Sequence, residues 1–209
     1  MTIINYIKRI ILPIVITVVY LILINDIQFQ DYQTLIHFGY YIILYRYLCR
    51  LGEFNKLFSS LYEKIHYFSF LKKVLITISI SMLLGYLSRF IIGDIGTIGV
   101  GFLIPVGDET MMLIWLLTLA ILKPICDTLL YHKVFVVLEH KDMVYMTIFI
   151  SLIFQAIVNM GSITGGVVIF LMSIPPMISY YFTKDITVSL TSQFLVNLAN
   201  LISLYLFFV

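Results

Sequence analysis

The sequence predicts an all-α membrane protein, a polytopic bundle of about seven transmembrane helices. Of its 209 residues, 61% are hydrophobic and only 11% are charged, and the mean hydropathy is +1.05. Soluble globular domains carry about 25% charged residues, so this composition lies well outside their range. A helix that crosses a bilayer needs about 20 mostly apolar residues, and stretches of this length recur along the whole chain.

The predicted spans follow one another with short connections. They lie near 9–26, 33–49, 70–92, 109–131, 143–160, 165–182 and 186–208. The first follows Lys8 and Arg9 as the core of a signal peptide would, but no small-residue cleavage site comes after it, so we interpret it as a retained span. Pro124 removes a backbone donor while the apolar pattern continues to Leu138. A broken helix there is an alternative, so the count ranges from about six to eight.

The distribution of basic residues predicts the orientation of the chain in the membrane. A cytoplasmic N-terminus places all but Arg89 and Lys123 of the 13 Lys and Arg residues on the inner side, as the positive-inside rule requires. The frequent Ile, Phe and Tyr are typical of an AT-rich bacterial genome, which indicates a bacterial cytoplasmic membrane. Residues 1–69 are predicted to form two spans and a cytoplasmic helix, and residues 70–209 the helical core of the same membrane domain.

The connection between the second and third spans is predicted to be an amphipathic helix on the cytoplasmic face. Apolar residues recur there at helical spacing between lysines that would bind anionic lipid, although a partner-docking helix is an alternative. These apolar residues are Phe54, Leu57, Leu61, Ile65 and Phe68. The glycine-rich outer segment near 91–109 is expected to dip into the membrane or cap a cavity. Cys49 and Cys126 are interpreted as small buried hydrophobic residues and not as a disulfide pair.

Polar side chains recur inside three predicted spans, where their cost makes each one a functional candidate. The fourth span carries Lys123, Asp127, Thr128, Tyr131 and His132, the fifth carries Gln155 and Asn159, and the last carries Ser189, Gln193, Asn197 and Asn200. The spacing in the last span places its four residues on one helix face. Lys123 and Asp127 lie four residues apart and are predicted to pair. Interhelical hydrogen bonds worth about 0.6–2 kcal/mol each are the alternative role for all these groups.

Three segments, in this order, resemble the motifs EExxxR, FxxxH and HxxxN of the CAAX prenyl protease family of intramembrane proteases, also called the CPBP or Abi family. "DTLLYHKVF" is similar to the first motif, with Asp127 and Thr128 at the two Glu positions and His132 at the Arg. "FQAIVNM" is similar to the second, with Asn159 nearest the His position and Gln155 where the Phe belongs.

The segment ending in "SQFLVNL" resembles the third motif, with Gln193 at the His and Asn197 at the family's Asn. The likeness covers about residues 120–200 and implies a CPBP-like core. In the family, the first Glu activates water with help from the second motif's His, and the third motif binds the oxyanion. In this chain, amides that cannot titrate replace both His residues, so the resemblance implies a catalytically degenerate member, a pseudoprotease.

The expected function is therefore binding, with no catalytic residues. We expect a scaffold or regulator of another membrane or envelope protein, with roles in bacteriocin immunity or secretion implied by the resemblance. The predicted cavity is lined by Lys123, Asp127, Tyr131, His132, Gln155, Asn159, Ser189, Gln193, Asn197 and Asn200. One alternative is a divergent protease that uses Asp127 as its base. The other is a subunit of a small-molecule transporter.

The remaining partners follow from composition. A net charge of +2, dispersed among the spans, argues against nucleic acid, and membrane lipids are the expected surroundings. One His and one Asp on the fourth span do not make a zinc site, so no metal and no cofactor is predicted.

Overall fold

A computed structural model of the chain describes residues 3–92, 109–138, 141–160 and 162–208, and the regular secondary structure in these ranges is helical. The main helices are α1 (Ile3–Asn25), α2 (Gln33–Arg50), α3 (Glu53–Lys64), α4 (Phe68–Ile92), α5 (Glu109–Val134), α6 (Lys141–Asn159), α7 (Ile163–Thr183) and α8 (Ile186–Phe208). A short 3₁₀ helix, Ile27–Tyr32, precedes α2. The predicted all-α class is confirmed, and the outer segment 93–108 lies outside the described residues.

Four of the described helices are long and apolar enough to cross a membrane. They are Tyr6–Asn25, Phe68–Ile92, Glu109–Val134 and Ile163–Thr183. Within the residues whose side chains the structure describes, α6 and α8 contribute the shorter apolar stretches Met143–Asn159 and Ile186–Ile202, and α2 belongs to neither group. The polar residues of α2 lower its hydropathy, while Tyr41, Leu44 and Leu48 bury its inner face. Length and composition of these four helices thus indicate a membrane protein, and the count of about seven spans stays a prediction.

The largest core cluster joins helices that are distant in sequence. Tyr41 and Leu44 from α2 pack with Leu129 and Leu130 from α5, and Leu190 from α8 belongs to the same cluster. Complete burial of a Leu side chain stabilises a fold by about 1.5–3 kcal/mol relative to exposure in water. In lipid this gain shrinks, so close packing and polar contacts carry more of the helix association.

Pro124 does not divide α5. The helix is continuous from Glu109 to Val134, and two π-helical stretches, Thr118–Leu122 and Thr128–Val134, flank the turn that holds the proline. The N–H of Lys123 bonds to the Thr118 carbonyl, five residues back. This wider turn accommodates Pro124, which has no N–H to donate. Phe135, Val136 and Val137 follow as buried, non-helical chain, which explains why the apolar pattern continues past Val134 without a further helix there. Such π turns are frequent at functional sites.

The amphipathic helix is shorter than predicted. It ends at Lys64, where a turn closed by the Tyr67 N–H and the Lys64 carbonyl redirects the chain into α4. Leu57 is buried and Leu61 packs against the bundle, but the turn moves Ile65 and Phe68 off that face, and Phe68 is 82% exposed. The side chain of Phe54 lies outside the described part. Elsewhere, Cys126 is buried as predicted, whereas Cys49 is exposed; both are free thiols.

An ion pair fastens α3 to the turn between α7 and α8. Lys64 Nζ lies 2.8 Å from Asp185 Oδ2, and Asp185 Oδ1 also accepts from the Thr187 N–H and hydroxyl at 3.0 and 2.6 Å. Burial alone would raise the pKa of the Asp185 carboxyl, but the hydrogen bonds from Lys64 and Thr187 outweigh it, so the pKa is lowered. Lys64 therefore binds a carboxylate of the same chain.

This pair predicts a pH-dependent contribution to stability. Because the folded-state pKa of Asp185 is depressed, the contribution is present above the unfolded pKa of about 3.9 and is lost as pH falls through the folded value. Lys64→Met is expected to lower the free energy of unfolding by about 0.5 kcal/mol at pH 7, the magnitude of a surface pair, and by less at about pH 2, where the carboxylate becomes protonated. Thermal unfolding in detergent at both pH values measures this. Lys72→Met, at an exposed lysine, is the control, and a Lys64→Met deficit that is independent of pH would contradict the prediction.

Candidate functional site

A polar cavity of about 120 Å³ lies between α4, α5, α6, α7 and α8. Its polar lining is Ser81, Arg89, Lys123, Asp127, Gln155, Asn159, Ser173, Gln193, Asn197 and Asn200. Val168, Ile169, Met172 and Val196 are among its apolar lining. The cavity lining therefore combines polar and apolar side chains, as small-molecule sites do.

Close packing of α4 on α7 forms one wall. A Cβ atom at Gly85 would lie 2.6 Å from Met172 Sδ, so the missing side chain lets the two helices approach. Small residues at helix contacts are the usual means of close approach in membranes. At the N-terminus of α7, the Ser162 hydroxyl accepts from the Gly165 N–H and caps the first turn.

Lys123 and Asp127 form a closed ionic cluster in the cavity floor. Lys123 Nζ lies 3.1 Å from Asp127 Oδ2, which confirms the predicted pairing, and it also contacts the Asn159 side-chain oxygen. The Tyr41 hydroxyl donates to Asp127 Oδ1 at 3.1 Å and accepts from Lys123 at 3.3 Å. Asn159 is held in turn by its bond to the Gln155 carbonyl. Both oxygens of the carboxylate are thus already hydrogen-bonded.

His132 lies in the layer behind this floor. Its Nδ1 is 2.5 Å from Ser189 Oγ, and its Nε2 is 3.3 Å from Gln193 Nε2. The Gln193 amide also lies 2.8 Å from Thr128 Oγ1, and the Thr128 hydroxyl lies 2.7 Å from the Pro124 carbonyl. The Tyr180 ring stacks on the imidazole at 5.9 Å. His132 is thus a fully enclosed packing residue.

The cavity includes seven of the ten residues predicted to line it. They are Lys123, Asp127, Gln155, Asn159, Gln193, Asn197 and Asn200. Tyr131, His132 and Ser189 do not line it, and neither does Thr128, because all four are buried where α5 packs against neighbouring helices. Tyr131 contributes to an aromatic cluster with Phe135 and Phe154. Helical spacing placed seven of these residues on the sides of their helices that line the cavity. At Tyr131, His132 and Ser189, neighbouring helices pack against the side chain instead.

Three polar cavity residues were absent from the predicted set. Ser81 and Arg89 come from α4, and Ser173 comes from α7. Arg89 had one signal in the sequence: with Lys123, it was a basic residue that did not fit the cytoplasmic side, and both residues line the cavity. Ser81 and Ser173 had none, because single serines are common in membrane helices.

Comparisons with other proteins add no assignment to this geometry. No protein-family model, curated protein or solved structure matches the chain. Within residues 3–92, 109–138, 141–160 and 162–208, no group of three or more His, Cys, Asp or Glu side chains is arranged to hold a metal ion. The chemistry of the cavity therefore has to be inferred from its own residues.

Proposed function

We propose that this protein is a binding scaffold or regulator of another membrane protein in a bacterial cell envelope, a catalytically degenerate relative of the CPBP proteases. In this proposal the chain has about seven spans in the cytoplasmic membrane, with a cytoplasmic N-terminus. The family part rests on the three motif-like segments alone. The cavity supports the binding part, because its amides are placed to meet an occupant.

One observation carries the proposal: the carboxylate at the family's base position is already occupied. Asp127 accepts from Tyr41 at one oxygen and from Lys123 at the other. A general base must hold a water within hydrogen-bond reach and receive its proton, but both oxygens of this carboxylate already accept hydrogen bonds within the chain. His132, at the family's Arg position, does not line the cavity. Binding therefore fits these contacts better than hydrolysis.

One arrangement favours the alternative of a divergent protease. Gln193 and Asn197 line the same cavity as Asp127, so amide donors for an oxyanion stand beside a carboxylate. This alternative requires Asp127 to exchange its Lys123 contact for water during a reaction. It predicts an accumulating substrate when the carboxylate is removed.

Copurification from the native host tests the scaffold. In mild detergent, the tagged wild type is expected to retain one membrane protein at roughly equal stoichiometry, identified by mass spectrometry. Asn197→Leu, which replaces a cavity amide by an apolar side chain of similar size, is expected to reduce that recovery at least about tenfold, the equivalent of 1.4 kcal/mol. Leu195→Met on the outward face of α8 is the matched control. Recovery of no partner by the wild type, or equal recovery with Asn197→Leu, contradicts docking through the cavity.

A further inference from the structure

Among the described residues, the cavity carries one positive charge without a carboxylate partner. Lys123 and Asp127 neutralise each other across 3.1 Å, which leaves Arg89 as the remaining charged residue of the described lining. No carboxylate in the described part of the chain pairs with Arg89, and its Nε is buried without a hydrogen-bond partner there. Charged groups at membrane depth are almost always paired, so the occupant is expected to supply a negative charge.

Uncharged groups around the same cavity also lack partners. Ser81 is fully buried and its hydroxyl has no hydrogen bond, and Gln155 is 6% exposed with its side-chain oxygen likewise unpaired, among the described residues. The amides of Asn197 and Asn200 line the cavity without a side-chain hydrogen bond to any described residue. Hydroxyl, amide and guanidinium N–H groups all donate to oxygen. The lining thus offers guanidinium, hydroxyl and amide donors, together with acceptor oxygens such as Gln155 Oε1.

The size of the cavity limits which groups can enter it. A volume of about 120 Å³ is close to that of an apolar cavity of about 150 Å³ that binds benzene. An α-helix with side chains is about 10–12 Å wide, so a transmembrane segment cannot enter whole. A compact head group fits, and Val168, Ile169 and Met172 offer apolar wall to the chain that follows it.

We propose that the cavity binds the oxyanion head of a single amphiphile, with Arg89 as its counter-ion and Asn197 and Asn200 as hydrogen-bond donors. Guanidinium groups bind carboxylate and phosphate in the same two-pronged geometry, so a fatty acid and an anionic phospholipid share this chemistry. The inference deepens the proposed function, on which it rests, because the occupant would fill the same cavity that contributes to partner docking.

Native mass spectrometry of the delipidated, full-length protein tests the proposal with three probes: dioleoyl phosphatidylglycerol, oleate and the zwitterionic dioleoyl phosphatidylcholine. We expect one tightly bound anionic amphiphile, with phosphatidylcholine at least about tenfold weaker. Saturation by phosphatidylglycerol alone assigns a phosphate head, and saturation by oleate alone assigns a carboxylate. Equal affinity for phosphatidylcholine and the anionic probes overturns the proposal.

Variants link the binding to the cavity. Arg89→Gln is expected to weaken binding of the anionic probe about tenfold to a hundredfold, the range of a charge-assisted hydrogen bond. Asn200→Leu is expected to weaken it as well, and it retains every charge if Arg89→Gln proves unstable. Lys72→Gln removes a positive charge from an exposed site on the same helix and is the matched control.

The outcomes separate this inference from the proposed function. Unchanged probe affinity in both Arg89→Gln and Asn200→Leu overturns the oxyanion site, yet the protein partner would still copurify if the scaffold is correct. Conversely, probe binding that depends on Arg89, without any copurified protein, supports the oxyanion site and contradicts the scaffold.

Discussion

Lys123→Met is expected to lower the free energy of unfolding by about 3–5 kcal/mol, the cost of breaking a buried ion pair from one side. The substitution leaves the Asp127 carboxylate, which is 3% exposed, without its cationic partner, while the Tyr41 hydroxyl still donates to it. It also removes the contact that Lys123 makes with the Asn159 oxygen. Equilibrium unfolding in mixed micelles, monitored by helical circular dichroism, measures the loss.

The double variant Lys123→Met with Asp127→Asn is the control that identifies the cause. It removes both charges and keeps the shape of residue 127, so Tyr41 still has an oxygen to donate to. Replacing a buried pair by neutral groups of similar volume is often close to neutral, and we expect the double variant to recover most of the lost stability. Losses that simply add, with no coupling between the two positions, would show that the pair does not stabilise the site.

His132→Ala is expected to cost about 3 kcal/mol of unfolding free energy, from a cavity in a closed core and two lost hydrogen bonds. The ring is fully buried, stacks on Tyr180 and bonds to Ser189 and Gln193. Its removal leaves the Ser189 hydroxyl without its partner inside the bundle. The same unfolding assay measures the cost.

His66→Ala controls for the loss of an imidazole as such. His66 is exposed beside Tyr62, at the turn after α3, and its removal is expected to change stability by less than about 0.5 kcal/mol. A folded His132→Ala protein of wild-type stability that allows an uncleaved membrane substrate to accumulate in cells would contradict the packing role and would indicate catalytic participation.

Local sequence rules were sufficient for the helices and for pairs within one helix. Apolar length located the four helices that are long and apolar enough to cross a bilayer, and four-residue spacing identified the Lys123 and Asp127 pair. Both signals depend on neighbours along one helix, whose geometry the sequence determines directly. The same rules placed Asn197 and Asn200 on the face of α8 that lines the cavity.

Contacts between distant helices were beyond those rules. Tyr41 lies 86 residues from the Asp127 carboxylate to which it donates, and nothing in the pattern of α2 singles it out among several tyrosines. Arg89 and Ser81 enter the cavity because α4 packs against α7 and α8, which is a tertiary choice. Likewise α2 was predicted as a span from its length, although its polar content lowers its hydropathy below that of the four spans.

The most direct test compares wild-type cells with cells that express Lys123→Met with Asp127→Asn, by quantitative mass spectrometry of the membrane fraction and of the copurified proteins. This variant abolishes the only carboxylate among the described cavity residues without leaving a buried charge. Binding predicts that the same partner copurifies at wild-type stoichiometry and that no uncleaved membrane protein accumulates. Accumulation of a full-length substrate, together with the loss of its fragments, would show that Asp127 acts as a base and that the protein is a protease.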